Sequence, residues 1–96
     1  MTNTLLLAAA LSPMFQDPQF HAPVRLEAAG APIRVEEPGF AAPAWVDFDR
    51  DGKHDLVVGQ FKGGKLMVYR GLDDGKLAAG TWLEAGGKIV EVPGVW

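Results

Sequence analysis

In the middle of the chain apolar and polar residues alternate with a period of two, the pattern of half-buried strands. Val24-Arg25-Leu26-Glu27 and Pro32-Ile33-Arg34-Val35-Glu36 both show it, and Ala28-Ala29-Gly30-Ala31 between them predicts a four-residue turn. Pro38-Gly39 breaks the hairpin, and Ala41 to Pro43 leads into the next strand. Ala44-Trp45-Val46-Asp47-Phe48 and Leu56-Val57-Val58 are short aromatic or β-branched runs, the composition of strands rather than of long helices. Lys62-Gly63-Gly64-Lys65 predicts a turn and Leu66 to Tyr69 a strand, followed by an Asp-Gly type turn at Asp73-Asp74-Gly75. Lys76 to Gly80 and Thr81 to Glu84 read as strand-like. Ala85-Gly86-Gly87 is then a turn, and Lys88 to Val92 a last strand before Pro93-Gly94. The pattern predicts an all-β antiparallel fold over residues 24–96.

The first 23 residues read differently. Leu5 to Leu11 is a seven-residue apolar run with Ala8 and Ala10 in the spacing of an A-x-A cleavage site, so residues 1–11 are read as a signal peptide. No Lys or Arg precedes the run and Ser12-Pro13 follows it, which leaves a short apolar N-terminal helix as the alternative. Export to a secreted, periplasmic or cell-surface location is the expectation. The run is far too short to span a membrane as a helix. Residues 12–23 carry three prolines and no periodicity, the composition of a linker, and His21 within it has no partner group nearby in sequence.

Composition narrows the function. Ninety-six residues allow one small domain with a modest core. Net charge is −3 and no basic cluster exists, so nucleic acid is not an expected partner. The absence of cysteine removes disulfides and thiolate metal sites. Twelve glycines and seven prolines in so short a chain favour turn-rich β structure.

The chemistry is concentrated in Asp47-Phe48-Asp49-Arg50-Asp51-Gly52-Lys53-His54-Asp55. Carboxylates at positions one, three, five and nine of a tight loop converge on one point, and oxygen-only convergence suits a hard cation such as calcium. Glycine at position six permits the sharp turn around the ion. Lys53, at position seven, would offer its backbone carbonyl while its side chain points to solvent. Without an ion the four carboxylates repel one another, so the loop should be loose or partly protonated. The alternative is a solvated acidic turn. A helix-loop-helix calcium site needs a bidentate Glu at position twelve, where this chain has Val58, and the flanks read as strands.

The residues from Pro43 through the acidic run to Leu56-Val57-Val58-Gly59-Gln60-Phe61 resemble an FG-GAP-like repeat, also called a VCBS repeat. This is the β-propeller blade repeat of integrin α-subunit heads and of many bacterial secreted proteins. The resemblance implies that Asp47, Asp49, Asp51 and Asp55 bind Ca2+ through side chains and Lys53 through its carbonyl. Gly59-Gln60-Phe61 stands where the family has Gly-Ala-Pro, so the following turn is expected to differ. Gly64 to Arg70 fits the family's next strand, and residues 24–36 look like the outer part of a preceding blade.

A propeller closes with four or more blades, and one calcium-loop repeat with a preceding hairpin is too short to close one. The unit is therefore expected to be a fragment of a larger propeller, a subunit of a ring, or an independent sheet. Further blades or self-association would cover its edges. The expected function is a calcium-binding, non-catalytic module with a structural role or a protein or glycan ligand. Alternatives are part of a secreted glycan-active enzyme, with Asp73, Asp74 or Glu84 as acid–base groups, or a truncated relic. The Gly-rich turn at Lys62–Lys65 lacks phosphate-loop spacing. Trp45, Trp82, Phe48, Phe61 and Tyr69 are expected to pack between sheets rather than to line a sugar site.

Overall fold

The computed structural model describes residues 17–94. The inferred signal peptide at residues 1–11, and Trp96, lie outside them. The described chain contains eight short strands, one 3-10 turn at Lys62–Gly64 and no α-helix. None of its helices is long and apolar enough to cross a membrane.

Three antiparallel sheets form, none of them closed. The first is a hairpin of β1 (Glu27–Ala28) and β2 (Ala31–Pro32). The second, central sheet has the order β3 (Ala42–Val46), β4 (Asp55–Gly59), β5 (Leu66–Tyr69), β6 (Thr81–Trp82). The third is a hairpin of β7 (Glu84–Ala85) and β8 (Lys88–Ile89). Every neighbouring pair of the central sheet follows in sequence, the connections running over residues 47–54, 60–65 and 70–80.

Two adjustments to the expected elements have clear causes. The first hairpin turns on two residues, Ala29 and Gly30, instead of four; their φ values of 50° and 79° are those of a turn whose twist matches the flanking strands. The ladder extends one step further, with Ile33 N–H donating to the Leu26 carbonyl at 3.1 Å. The last strand is cut to Lys88–Ile89 because the chain then leaves the hairpin for the central sheet. Glu91 bridges to Lys65, and Val92 N–H donates to the Gly64 carbonyl at 2.8 Å. Between Lys76 and Gly80 only Leu77 makes a bridge, to Gly71.

The core follows from strand alternation. Leu56 and Val58 on β4 join Tyr69, Leu77 and Ala28 in one buried cluster, against which Ile33, Val35 and Met67 pack half-buried. The hairpin thus covers the face of the central sheet that carries Leu56 and Val58. The intervening Val57 pairs across the ladder with Val68, and both are buried as well. A strand buried on both faces explains the continuous apolar run Leu56-Val57-Val58. Strand β3 is exposed at all five positions and forms an open edge of the sheet.

The aromatic residues correct the expectation of packing between sheets. Tyr69 is buried, but Trp45 and Phe48 remain 59% and 47% exposed. Trp45 lies on the open edge and stacks on His54, with centroids 5.6 Å apart and planes at 13°. Phe61 meets Phe40 edge to face, and half-buried Trp82 lies under the Lys65 ammonium at 4.5 Å. His21 is exposed.

Candidate metal centre

The acidic run is the connection between β3 and β4. Val46 and Asp55 are directly paired in that ladder, so the loop leaves and re-enters the sheet at one point. Asp47 follows the last residue of β3 and Asp55 is the first of β4, which brings positions one and nine together by strand register alone. Gly52, with φ of 89°, turns the chain back between them, and Arg50 also takes a left-handed conformation at 62°.

Hydrogen bonds inside the loop set the carboxylates. Asp47 accepts from Asp51 N–H at 3.1 Å through Oδ1 and from Gly52 N–H at 2.9 Å through Oδ2. Asp49 Oδ1 accepts from Asp51 N–H at 3.3 Å, and Asp51 Oδ1 from Lys53 N–H at 2.9 Å. These are side-chain-to-backbone turns of the kind Asp favours. One oxygen from each of Asp47, Asp49, Asp51 and Asp55 lies within 4.8 Å of all the others. Ligands on opposite sides of a calcium ion, each at 2.3–2.6 Å, stand about 4.6–5.2 Å apart. The donor set is all oxygen, the kind that hard cations take. The four carboxylates could hold a metal ion.

Asp55 differs from its neighbours. It is fully buried, and its two oxygens accept from Phe48 N–H at 2.9 Å and Gly71 N–H at 2.7 Å. A buried carboxylate is costly unless hydrogen-bonded, and Asp55 is satisfied on both oxygens. It ties the start of the loop to the end of β5. Gly71 has to be glycine at this crossing, since a Cβ there would collide with the His54 carbonyl oxygen.

Charge repulsion in the loop is met from outside it. Arg70 Nη2 lies 2.6 Å from Asp49 Oδ2 and 3.9 Å from Asp51 Oδ2. Partial burial pushes the Asp49 carboxyl up, but the Arg70 guanidinium and the Asp51 N–H outweigh it and hold it below its ordinary value. The Lys53 side chain is partly exposed, and at the surface it pairs with the exposed Asp73, Nζ to Oδ1 at 2.7 Å. The pair raises the Lys53 ammonium and lowers the Asp73 carboxyl. Asp74 caps the adjacent turn by accepting from Lys76 N–H at 3.0 Å. Asp73 and Asp74 therefore both have structural partners, and Glu84 sits exposed on β7.

Arg70 and Gly71 were not singled out from the sequence as part of this site. A signal was present. Once β4 and β5 are aligned with Leu56 opposite Tyr69, residue 70 falls opposite Asp55, so a cation ending β5 lands beside the acidic loop. Gln60, where the resemblance fails, has an assignable role. It is buried, accepts from Glu36 N–H at 3.1 Å and donates to Glu36 Oε1 and the Lys62 carbonyl, both at 2.9 Å.

No family model, curated protein or solved structure matches the chain.

Proposed function

We propose that the chain is a calcium-binding, non-catalytic repeat module of β-propeller-blade type, with a structural role or a protein or glycan ligand. The observation that carries this reading is the convergence of Asp47, Asp49, Asp51 and Asp55 within 4.8 Å at the mouth of a strand pair. Asp47, Asp49 and Asp51 would hold the ion from the loop, Asp55 from the end of β4, and Lys53 through its carbonyl oxygen. The ion would supply charge neutralisation and a fixed loop conformation, with affinity of about 10⁻⁴ to 10⁻³ M, the range of extracellular modules. Residues 1–11 as an export signal fit the same setting. The resemblance to FG-GAP or VCBS repeats adds the blade assignment, and the exposed edge β3 is where a further blade or a second copy would pair.

The test is thermal unfolding in about 5 mM calcium and again in excess chelator. At that concentration calcium stands about 5–50 times above the proposed dissociation constant and adds about 1–2.3 kcal/mol, a rise of about 5–15 °C in Tm for a domain of this size. Asp51→Ala is expected to remove that shift at little other cost, because Asp51 is exposed and its side chain accepts a single loop hydrogen bond, from Lys53 N–H, while its own N–H keeps its bonds to Asp47 and Asp49. Equal melting in both conditions would reject calcium and leave an acidic turn.

A further inference from the structure

We infer that Arg70 is a tethered cation that sets the affinity of the acidic loop for a divalent ion by competing with it for Asp49 and Asp51. The inference rests on the calcium reading above and goes one step beyond it. Arg70 belongs neither to the loop nor to its ligand set; it follows β5 and reaches the cluster from the neighbouring strand. Its guanidinium touches one cluster carboxylate and stands near a second, while the side chain as a whole is 63% exposed. Arginine stays charged at every accessible pH, so this counter-charge is permanent. It also shows that the cluster, as folded, accepts a positive group.

An ion ligated by Asp49 would lie about 5–6 Å from that guanidinium, given the ligand distances of calcium. Across that gap a unit charge repels a divalent one, whether or not the guanidinium stays on Asp49. With the dielectric of water and 0.1 M salt the penalty corresponds to about a three- to tenfold loss of affinity. Linkage adds to it in the same direction. The Arg70 pairs stabilise the ion-free loop, so whatever they contribute there is subtracted from ion binding. Arg70 therefore moves the site away from tight, permanent occupancy and towards weak, exchangeable binding.

The experiment is calorimetric titration of the full chain with calcium chloride, for wild type, Arg70→Gln and Arg70→Lys, at low and at moderate salt. Arg70→Gln is expected to bind calcium about three- to tenfold tighter at 0.1 M salt and to gain more at low salt, where screening is weaker. Its Tm in chelator should fall while its calcium-induced rise grows. Arg70→Lys keeps the charge and should stay closer to wild type than to Arg70→Gln. Unchanged or weaker binding in Arg70→Gln, or equal tightening in both variants, would overturn the inference while leaving the calcium site standing. No binding by wild type would remove both. Far-UV circular dichroism of both variants with calcium checks that the sheet is retained.

Discussion

Asp55 shows how one residue can belong to an acidic cluster and to the frame that holds it. Its three companions are reached by solvent and accept hydrogen bonds from within their own loop, whereas Asp55 is fully buried and fastens Phe48 to Gly71. The two kinds of carboxylate should respond differently to removal. Asp55→Ala leaves two part-buried N–H groups, of Phe48 and Gly71, without their acceptor, and each charge-assisted bond is worth about 1.5–3 kcal/mol. The expected loss is about 3 kcal/mol or more, present in chelator as well as in calcium. On the proposed calcium reading, Asp51→Ala should lose mainly the calcium-dependent part. Urea unfolding of both variants under both conditions separates the roles. Nothing in the spacing D-x-D-x-D-G-x-x-D distinguishes position nine from positions one, three and five. The difference comes from Asp55 being the first residue of a buried strand, with the end of β5 on its other side.

At the scale of elements, the first hairpin carries a correctable fault. Ala29 sits at φ of 50°, a conformation that costs an ordinary L-residue on the order of 1 kcal/mol and that Asn and Gly accept readily. Its N–H donates to the Leu77 carbonyl at 3.0 Å, a bond that any side chain at this position preserves. Ala29→Asn is therefore expected to stabilise the protein by about 0.5–1 kcal/mol, readable as a higher urea midpoint at unchanged slope. The strands themselves were largely legible. Leu66–Tyr69 has the expected bounds, and the acidic run lies between two antiparallel strands. The first strand of the hairpin was less so. Val24 and Leu26 alternate with charged neighbours, yet both are exposed, and only Ala28 in the same phase reaches the core. Alternation states which side chains share a face; it does not say whether another layer lies over that face.

The whole molecule is held together by polar ties between its small sheets as well as by the core. Glu36, between the first hairpin and β3, pairs with Lys65 at 2.8 Å and Lys62 at 3.5 Å and exchanges hydrogen bonds with Gln60. The bond to Lys65, then that to Gln60, brings its carboxyl from the ordinary 4.5 down to about 2. A carboxyl depressed on folding adds stability that is complete above its unfolded value and lost as pH falls through the folded one. Glu36→Gln should therefore be less stable than wild type by a constant margin above about pH 5, and the margin should shrink to nothing near pH 2. Chemical unfolding of the two proteins from pH 7 to pH 2 measures it. A margin independent of pH would show that the tie is not electrostatic. The open edge at β3 also belongs to this scale, since an unpaired strand offers its backbone to another chain.

By itself the sequence determined the local and the periodic: the β class, the principal turns, the position of the acidic loop between strands and the four carboxylates it holds. These follow from spacing along one stretch of chain, where backbone geometry alone decides which groups can meet. Tertiary structure decided what reaches the loop from elsewhere. The pairing of β4 with β5 brought Arg70 to Asp49 and Gly71 to Asp55, and the turn after β5 brought Asp73 to Lys53. It also decided which aromatic residues lie beneath another layer and which remain on an open edge. Such contacts join residues 16 to 21 positions apart, and strand register creates them where no local pattern announces them.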